Sequence, residues 1–361
     1  MFERRLYYHI DWAMLIALAA LCAFGLVNIY SASGGATRVY WTQIYGILIG
    51  VVALGVAIAI DYRSLCDKSH WLFLAVMALL VYVLFFGVVR NGSRRWIELG
   101  AFNLQPSELT KAALALVLAK FFGESRRGAL TQVDLFIAAA ITAVPLLIIA
   151  RQPDLGTAVT LIPIGFAIAF VAGMPLRVIG IVAMVAVLTA PVAWMFVLQD
   201  YQKERIETFL DPSQDARGAG YQQIQAKITV GSGWLWGKGF AKGTQGQLRF
   251  LPEGNNDFIF SVLAEEHGFA GVIVALGLYL FVILRAIESA RLAKDRLGAY
   301  LVIGVLASFT FQVVYNITMS AGLAPVKGLT LPLMSSGGSS LIATLAGFGL
   351  ILNVRMRRFT N

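Results

Sequence analysis

Apolar blocks long enough to cross a hydrocarbon layer as helices recur along the whole chain, and this decides what it can fold into. A bilayer core of about 30 Å needs about 20 residues of helix. Ten such blocks are found: 12–32, 41–60, 71–89, 107–122, 135–150, 156–173, 177–198, 258–285, 299–319 and 339–354. The expected fold is therefore an all-α polytopic membrane protein of ten transmembrane helices, a single domain over 1–361. The composition agrees, with 58% hydrophobic and 14% charged residues against roughly 25% charged in soluble domains. The first block is too long for a removable signal peptide, and no small-residue cleavage pattern follows it.

An even number of spans puts both ends on one side, and the basic residues say which. Fourteen lysines and arginines lie in the short connections on the terminal side, from Arg4 and Arg5 through Arg126 and Arg127 to Arg355, Arg357 and Arg358. Six lie opposite: Arg38, Arg90, Arg94, Arg95, Arg151 and Lys327. Cytoplasmic connections carry the excess, so both termini are expected in the cytoplasm. The net charge of +9 then reflects contact with membrane lipids rather than with nucleic acid. Cys22 and Cys66 suggest no disulfide framework, and three scattered histidines suggest no metal cluster.

The connection 199–256, between spans seven and eight, is far longer than the rest and is expected outside the cell. Tyr201–Leu210 and Tyr221–Val230 have helical character, with Tyr221, Ile224 and Ile228 one turn apart. That spacing suits short interfacial helices, and Trp234 and Trp236 suit the aromatic belt at the headgroups.

Charged groups at membrane depth are costly, which makes each a functional candidate. Glu108 and Lys111 share a face of the fourth span after Gln105-Pro106-Ser107. They serve either as an ion pair orienting helices or as an anion site in which Glu108 holds Lys111 in place. Asp154 caps the sixth helix or belongs to a site. Arg94 and Arg95, beside Trp96, meet lipid phosphate or a phosphorylated substrate. The stretch Phe240–Phe260 contains Lys242, Arg249, Glu253 and Asp257, and Asp257 opens the eighth span either as a cap or as a reactive group. Glu265 and Glu266 lie two turns deeper, facing the bundle or marking a helix that starts in the headgroups. Gly337-Gly338-Ser339-Ser340 allows close helix packing or offers N–H groups to an anion.

Together these segments resemble the SEDS family (shape, elongation, division and sporulation) over essentially the whole chain. The resemblance rests on Gln105–Lys111, Gln152–Thr157, Gly218–Phe260 and the terminal Gly-Gly-Ser-Ser, all in family order. Gly243-Thr244-Gln245-Gly246-Gln247 leading into Leu251-Pro252-Glu253 resembles the elongation branch. Three positions depart from the family pattern: Asn256 where Thr is usual, Ser336 where Tyr is usual, and Lys327 in place of an uncharged residue.

The resemblance implies a peptidoglycan glycosyltransferase in the bacterial cytoplasmic membrane, with its active site on the outer face. Such an enzyme polymerises lipid II into a growing β-1,4 glycan strand during cell elongation. It partners a class B penicillin-binding protein within the elongation machinery, and the aspartate matching Asp257 is regarded as catalytic. The donor is α-linked and the product β-linked, so the anomeric carbon inverts. Diphosphate leaves without needing a proton, so one carboxylate base plus cations suffices. Asp257 is the expected base. Lys111, Arg94 and Arg95, with Lys242 further out, are the expected phosphate contacts, and Glu108 orients Lys111. The metal requirement is left open, with Mg or Mn as an alternative counter-charge. A lipid II flippase and a scaffold are the rival readings.

Overall fold

The computed structural model describes residues 9–90, 93–99, 102–124, 130–215, 218–247, 250–251 and 253–359. Arg4, Arg5, Arg126 and Arg127 of the charge count lie outside these, as do Leu248, Arg249 and Pro252 of the long connection. A helix occupies each of the ten apolar blocks. These are α1 (Trp12–Ala32), α2 (Arg38–Ala59), α4 (Ser69–Phe86), α5 (Pro106–Glu124), α6 (Gln132–Arg151), α7 (Leu155–Val171), α8 (Leu176–Val192), α12 (Ile259–Arg291), α13 (Arg296–Ser320) and α14 (Gly338–Met356). Between them lie the short α3 (Tyr62–Asp67), α9 (Asp200–Leu210), α10 (Ala219–Ser232) and α11 (Thr244–Gln247). Among the described residues, eight helices are long and apolar enough to cross a membrane. The two others are α7, at 17 residues, and α5, which carries Glu108, Lys111, Lys120 and Glu124.

Local chemistry sets the helix ends. Asp11 accepts from Met14 N (3.2 Å), and Asp295 accepts from Gly298 N (2.8 Å). Thr131 and Asp134 form a reciprocal capping box, satisfying N–H groups that a helix start leaves unpaired. Pro106 opens α5, where its missing N–H costs nothing.

The core is built by α13, which packs on α5, α7 and α12, and by α14 along α2. A Cβ on Gly50 of α2 would lie 2.5 Å from Leu345 Cδ1 of α14, so a glycine there lets the two backbones approach. At one end of the bundle the starts of α1 and α13 meet the ends of α12 and α14. Arg285 and Arg355 pair with Asp11 at 2.7 and 3.0 Å, and Arg63 pairs with Asp295 at 3.0 Å. The described termini share this end. The opposite end carries the long connection 199–256 and the segment 321–337.

Two features differ from the expected course. The described residues between α4 and α5 are not a plain loop but form a three-stranded antiparallel sheet, β1 (Val88–Arg90), β2 (Ser93–Leu99) and β3 (Phe102–Leu104). The eighth span is not one straight helix from 258. Gly268 breaks α12 with φ 64° and ψ −165°, leaving a short segment 259–267 and a membrane-length stretch 269–291. That stretch of 23 residues is about 34 Å long. A side chain at Gly268 would meet Gly237 N at 2.3 Å, so both the left-handed backbone and the close approach require glycine.

Candidate functional site

Asp257 lies at the end of the bundle opposite the termini, just ahead of the short segment 259–267. It is not the helix cap, because Phe258 holds that position. Its backbone is pinned: its N–H donates to Glu253 O (3.1 Å), and its carbonyl accepts from Asn316 Nδ2 of α13 (2.8 Å). The same Asn316 amide donates to Leu329 O (2.6 Å), so one side chain ties the Asp257 segment to the 321–337 segment. Among the described residues the Asp257 carboxylate accepts no hydrogen bond, and it keeps part of its surface open. It lies against Gly328, where a Cβ would sit 3.6 Å from Oδ2.

Two cations act on it, and a third lies beside Gly328. Arg95 and Arg205 both act on the Asp257 charge, and Arg205 also acts on Lys327, the neighbour of Gly328. The Lys327 ammonium lies 5.8 Å from the centre of the Tyr315 ring, a cation–π distance. Burial pushes the Asp257 carboxyl up to about 7; Glu253 adds to the rise, and Arg205 and Arg95 oppose it. Burial, then Arg205, lowers the Lys327 ammonium below its ordinary value. Dense packing thus disfavours charge on both groups, and an anion placed between Arg205 and Lys327 would relieve their mutual repulsion.

Arg95 reaches this place because it lies on a strand. Side chains alternate along β2, so neighbouring arginines part. Arg94 is exposed and donates to Phe85 O at the end of α4 (3.1 Å). Arg95 turns the other way and donates to Gln152 O (3.3 Å) and Pro153 O, with Asp154 at 3.5 Å. Asp154 caps α7 through Thr157 N (3.3 Å) and also accepts from Gln105 Nε2 (2.8 Å) and Ser107 Oγ (3.3 Å). Asp154 is therefore a cap that also holds Arg95.

The remaining candidates lie apart. Lys111 donates to Glu108 at 2.7 Å inside the bundle, both side chains buried, beside a cavity of about 30 Å³ between α5, α13 and α14. That volume suits one or two waters. Lys242 is exposed, on the segment that packs over Glu265 and Glu266. Those two acids face protein. Glu265 accepts from Lys238 Nζ (2.6 Å) and Gln245 N (3.1 Å), and Ser31 at the end of α1 donates to Glu266. The start of α14 serves packing, since Gly337 N donates to Gln43 Oε1 (3.3 Å) and Ser339 Oγ to Asn103 O (2.6 Å).

Two departures from the family pattern touch each other: the Ser336 hydroxyl donates to Asn256 Oδ1, and Ser336 N donates to Asn255 O (3.0 Å). Among the described residues no group of three or more His, Cys, Asp or Glu side chains is placed to hold a metal ion. Asp257 and Glu253 fit an ion carried in by a diphosphate, since Mg²⁺ commonly takes one or two carboxylates plus substrate phosphates. Sequence reasoning missed Arg205 altogether and set Lys327 aside as a departure.

A family model described as a cell cycle protein, the FtsW/RodA/SpoVE family, matches residues 11–359. The peptidoglycan glycosyltransferase MrdB of Escherichia coli K12 is 38% identical over 350 residues, 97% of this chain and 94% of the relative. The peptidoglycan glycosyltransferase RodA of Treponema pallidum is 31% identical, over 96% of this chain and 98% of that one. Among solved structures, one chain comes from work on the coordination of polymerization and crosslinking by a peptidoglycan synthase complex. It matches with TM-score 0.84 at 33% identity, covering 98% of this chain and 99% of that one. The rod shape determining protein RodA of Thermus thermophilus matches at TM-score 0.74 and 31% identity, over 98% of each chain.

Proposed function

Because the chain belongs to the FtsW/RodA/SpoVE family of cell cycle proteins, we propose that it is a membrane-embedded peptidoglycan glycosyltransferase with Asp257 as its base. One observation supports this most. A carboxylate without a hydrogen-bond donor among the described residues, its pKa raised to about 7, lies within the field of Arg205 and Arg95. A base near neutrality beside cations is what glycosyl transfer from a diphosphate needs.

The substrate is lipid II, and the polymerase works from the outer face of the cytoplasmic membrane. Two features support that orientation: the fourteen-to-six distribution of basic residues and the position of both described termini at the end opposite Asp257. The Asp257 carboxylate takes the proton of the acceptor 4-hydroxyl as its oxygen bonds to the anomeric carbon from the face opposite the leaving group. The bond from that carbon to the diphosphate oxygen breaks, and the electron pair leaves with the diphosphate. Arg95, fixed by Asp154, receives the new negative charge together with Arg205 and Lys327. A divalent cation bound with the diphosphate would add counter-charge there, held by Asp257 and Glu253. Lys111 is already neutralised by Glu108, so it acts at one remove, by fixing α5 against α13 and α14. A class B penicillin-binding protein is the proposed partner, supported by the likeness to a chain of a peptidoglycan synthase complex.

The test is purified protein supplied with labelled lipid II on the accessible face. A ladder of glycan products is expected. Transfer of lipid II across the bilayer without polymer would favour a flippase and overturn this reading.

A further inference from the structure

The tip between α10 and α11 is stitched to α12 by four backbone hydrogen bonds, beside the Lys238–Glu265 ion pair. Where Gly268 breaks that helix, Phe269 N and Ala270 N open the stretch 269–291 and donate to Trp234 O (2.8 Å) and Leu235 O (3.1 Å). On the other side of the break, Lys238 N donates to Glu265 O (2.9 Å) and Gly239 N to Glu266 O (3.0 Å). A helix start leaves N–H groups without partners, and here the tip supplies them. Its height is therefore fixed against both halves of α12. The short half, residues 259–267, leads straight back to Asp257.

The side chains at this tip are bare. Trp234 is 84% exposed, Leu235 62% and Trp236 82%. Trp234 takes a left-handed backbone, φ 48°, a cost for a bulky residue. Exposed apolar residues continue in both directions. Phe269, Ile273 and Val274 lie on the stretch 269–291. Ile224 and Ile228 lie on α10, which turns its small and polar face, Gln223, Ala226 and Thr229, inward. The bare tip is thus continuous with the apolar surface of a helix of membrane length, and Lys227 and Lys242 are exposed near it. Indole rings at the end of a span, with lysines nearby, match the headgroup layer.

We infer that Trp234-Leu235-Trp236 is seated in the headgroup layer of a phospholipid bilayer and sets the height of the Asp257 segment relative to a lipid-linked substrate. These are positioning residues that touch lipid and not the reacting atoms. The activity arm of the test rests on the proposed polymerase function, while the depth arms do not.

The experiment uses the full chain in vesicles of phosphatidylethanolamine and phosphatidylglycerol. Leu235→Cys and Asn255→Cys each carry a nitroxide, read by collision with oxygen and with a water-soluble nickel chelate. Cys22 and Cys66 are buried, so the unmutated chain is the labelling control. The Leu235 label is expected in the interface, favouring oxygen, and a fully water-exposed label overturns the inference. The Asn255 label is expected to change depth when Trp234→Asn and Trp236→Asn are introduced together, and unchanged depth overturns the positioning role.

A displacement of about 1 Å at a reacting centre costs up to about a hundredfold. Polymerisation by the double variant is therefore expected to fall about tenfold or more in vesicles, to stay near wild type in detergent, and to recover with Trp→Tyr at both sites. An equal loss in detergent would mark a folding defect and refute the inference. Wild-type protein that makes no polymer in either medium refutes the proposed function instead, and the two depth readings still decide the placement.

Discussion

If Asp257 is the base, the rate must follow its ionisation, and the structure says where. Burial raises the carboxyl from its ordinary 3.8 to about 7. Only the ionised form accepts a proton, so kcat/KM should rise with pH. At a pKa of about 7, about a tenth of the sites are ionised at pH 6 and about nine-tenths at pH 8, a change of about tenfold. Glu253→Gln removes the negative charge that adds to the rise. At an effective dielectric of about 20, like charges on neighbouring side chains interact by about 2 kcal/mol. Solvent screening reduces this to about 1 kcal/mol, near 0.7 of a pKa unit. The midpoint in Glu253→Gln should therefore fall toward 6, and Arg205→Gln should move it upward. The assay is the initial rate of glycan formation from labelled lipid II at limiting concentration, from about pH 5.5 to 8.5. A flat wild-type profile, or a Glu253→Gln midpoint that stays put or rises, would refute the reasoning.

Stability should run the opposite way. The fold prefers Asp257 protonated, so stability is fully present below about pH 4 and is lost as pH rises to about 7, after which the loss is constant. Asp257→Asn removes this loss and should stabilise the protein in detergent by about 2 kcal/mol more at pH 8 than at pH 4 once exposure is allowed for, read as a larger rise in melting temperature. Lys111→Met strands the buried Glu108 carboxylate and should cost about 3–5 kcal/mol, with Glu108→Gln added to it recovering most of the loss; thermal unfolding reads both. Arg95→Met should lower kcat by about a hundredfold, while Arg94→Met stays within about threefold of wild type; steady-state kinetics on the two proteins decides.

The spans could be read in the sequence because a bilayer imposes one length on every helix, and even α5 stands out, its charges paired one turn apart. The break at Gly268 was hidden by the apolar residues on both sides of it. Its signal was Glu265-Glu266-His267-Gly268, acids too deep for one straight span followed by a glycine. The sheet between α4 and α5 also had a signal in Asn91-Gly92 between short runs containing Val and Ile, a hairpin pattern. On a strand Arg94 and Arg95 point to opposite faces, a distinction that the spacing of two adjacent arginines does not carry. Asp257 stands out through the family resemblance, since by position alone it reads as one more acid at a helix start, like Asp11, Asp61, Asp154 and Asp295. Arg205 does not, since among Lys203, Glu204 and Glu207 it reads as one charge on a solvated helix. Only the fold of the chain brings its charge to bear on Lys327 and Asp257. The contact between Asn256 and Ser336, 80 residues apart, likewise exists only in three dimensions.

In the proposed mechanism one side chain, Asp257, removes the acceptor's proton. Purified Asp257→Asn, shown to be folded by its melting curve and given labelled lipid II in a bilayer, tests it most directly. The account predicts no glycan ladder at any pH from about 6 to 8.5, with lipid II still bound. A ladder of near-normal rate and length from that protein would contradict it.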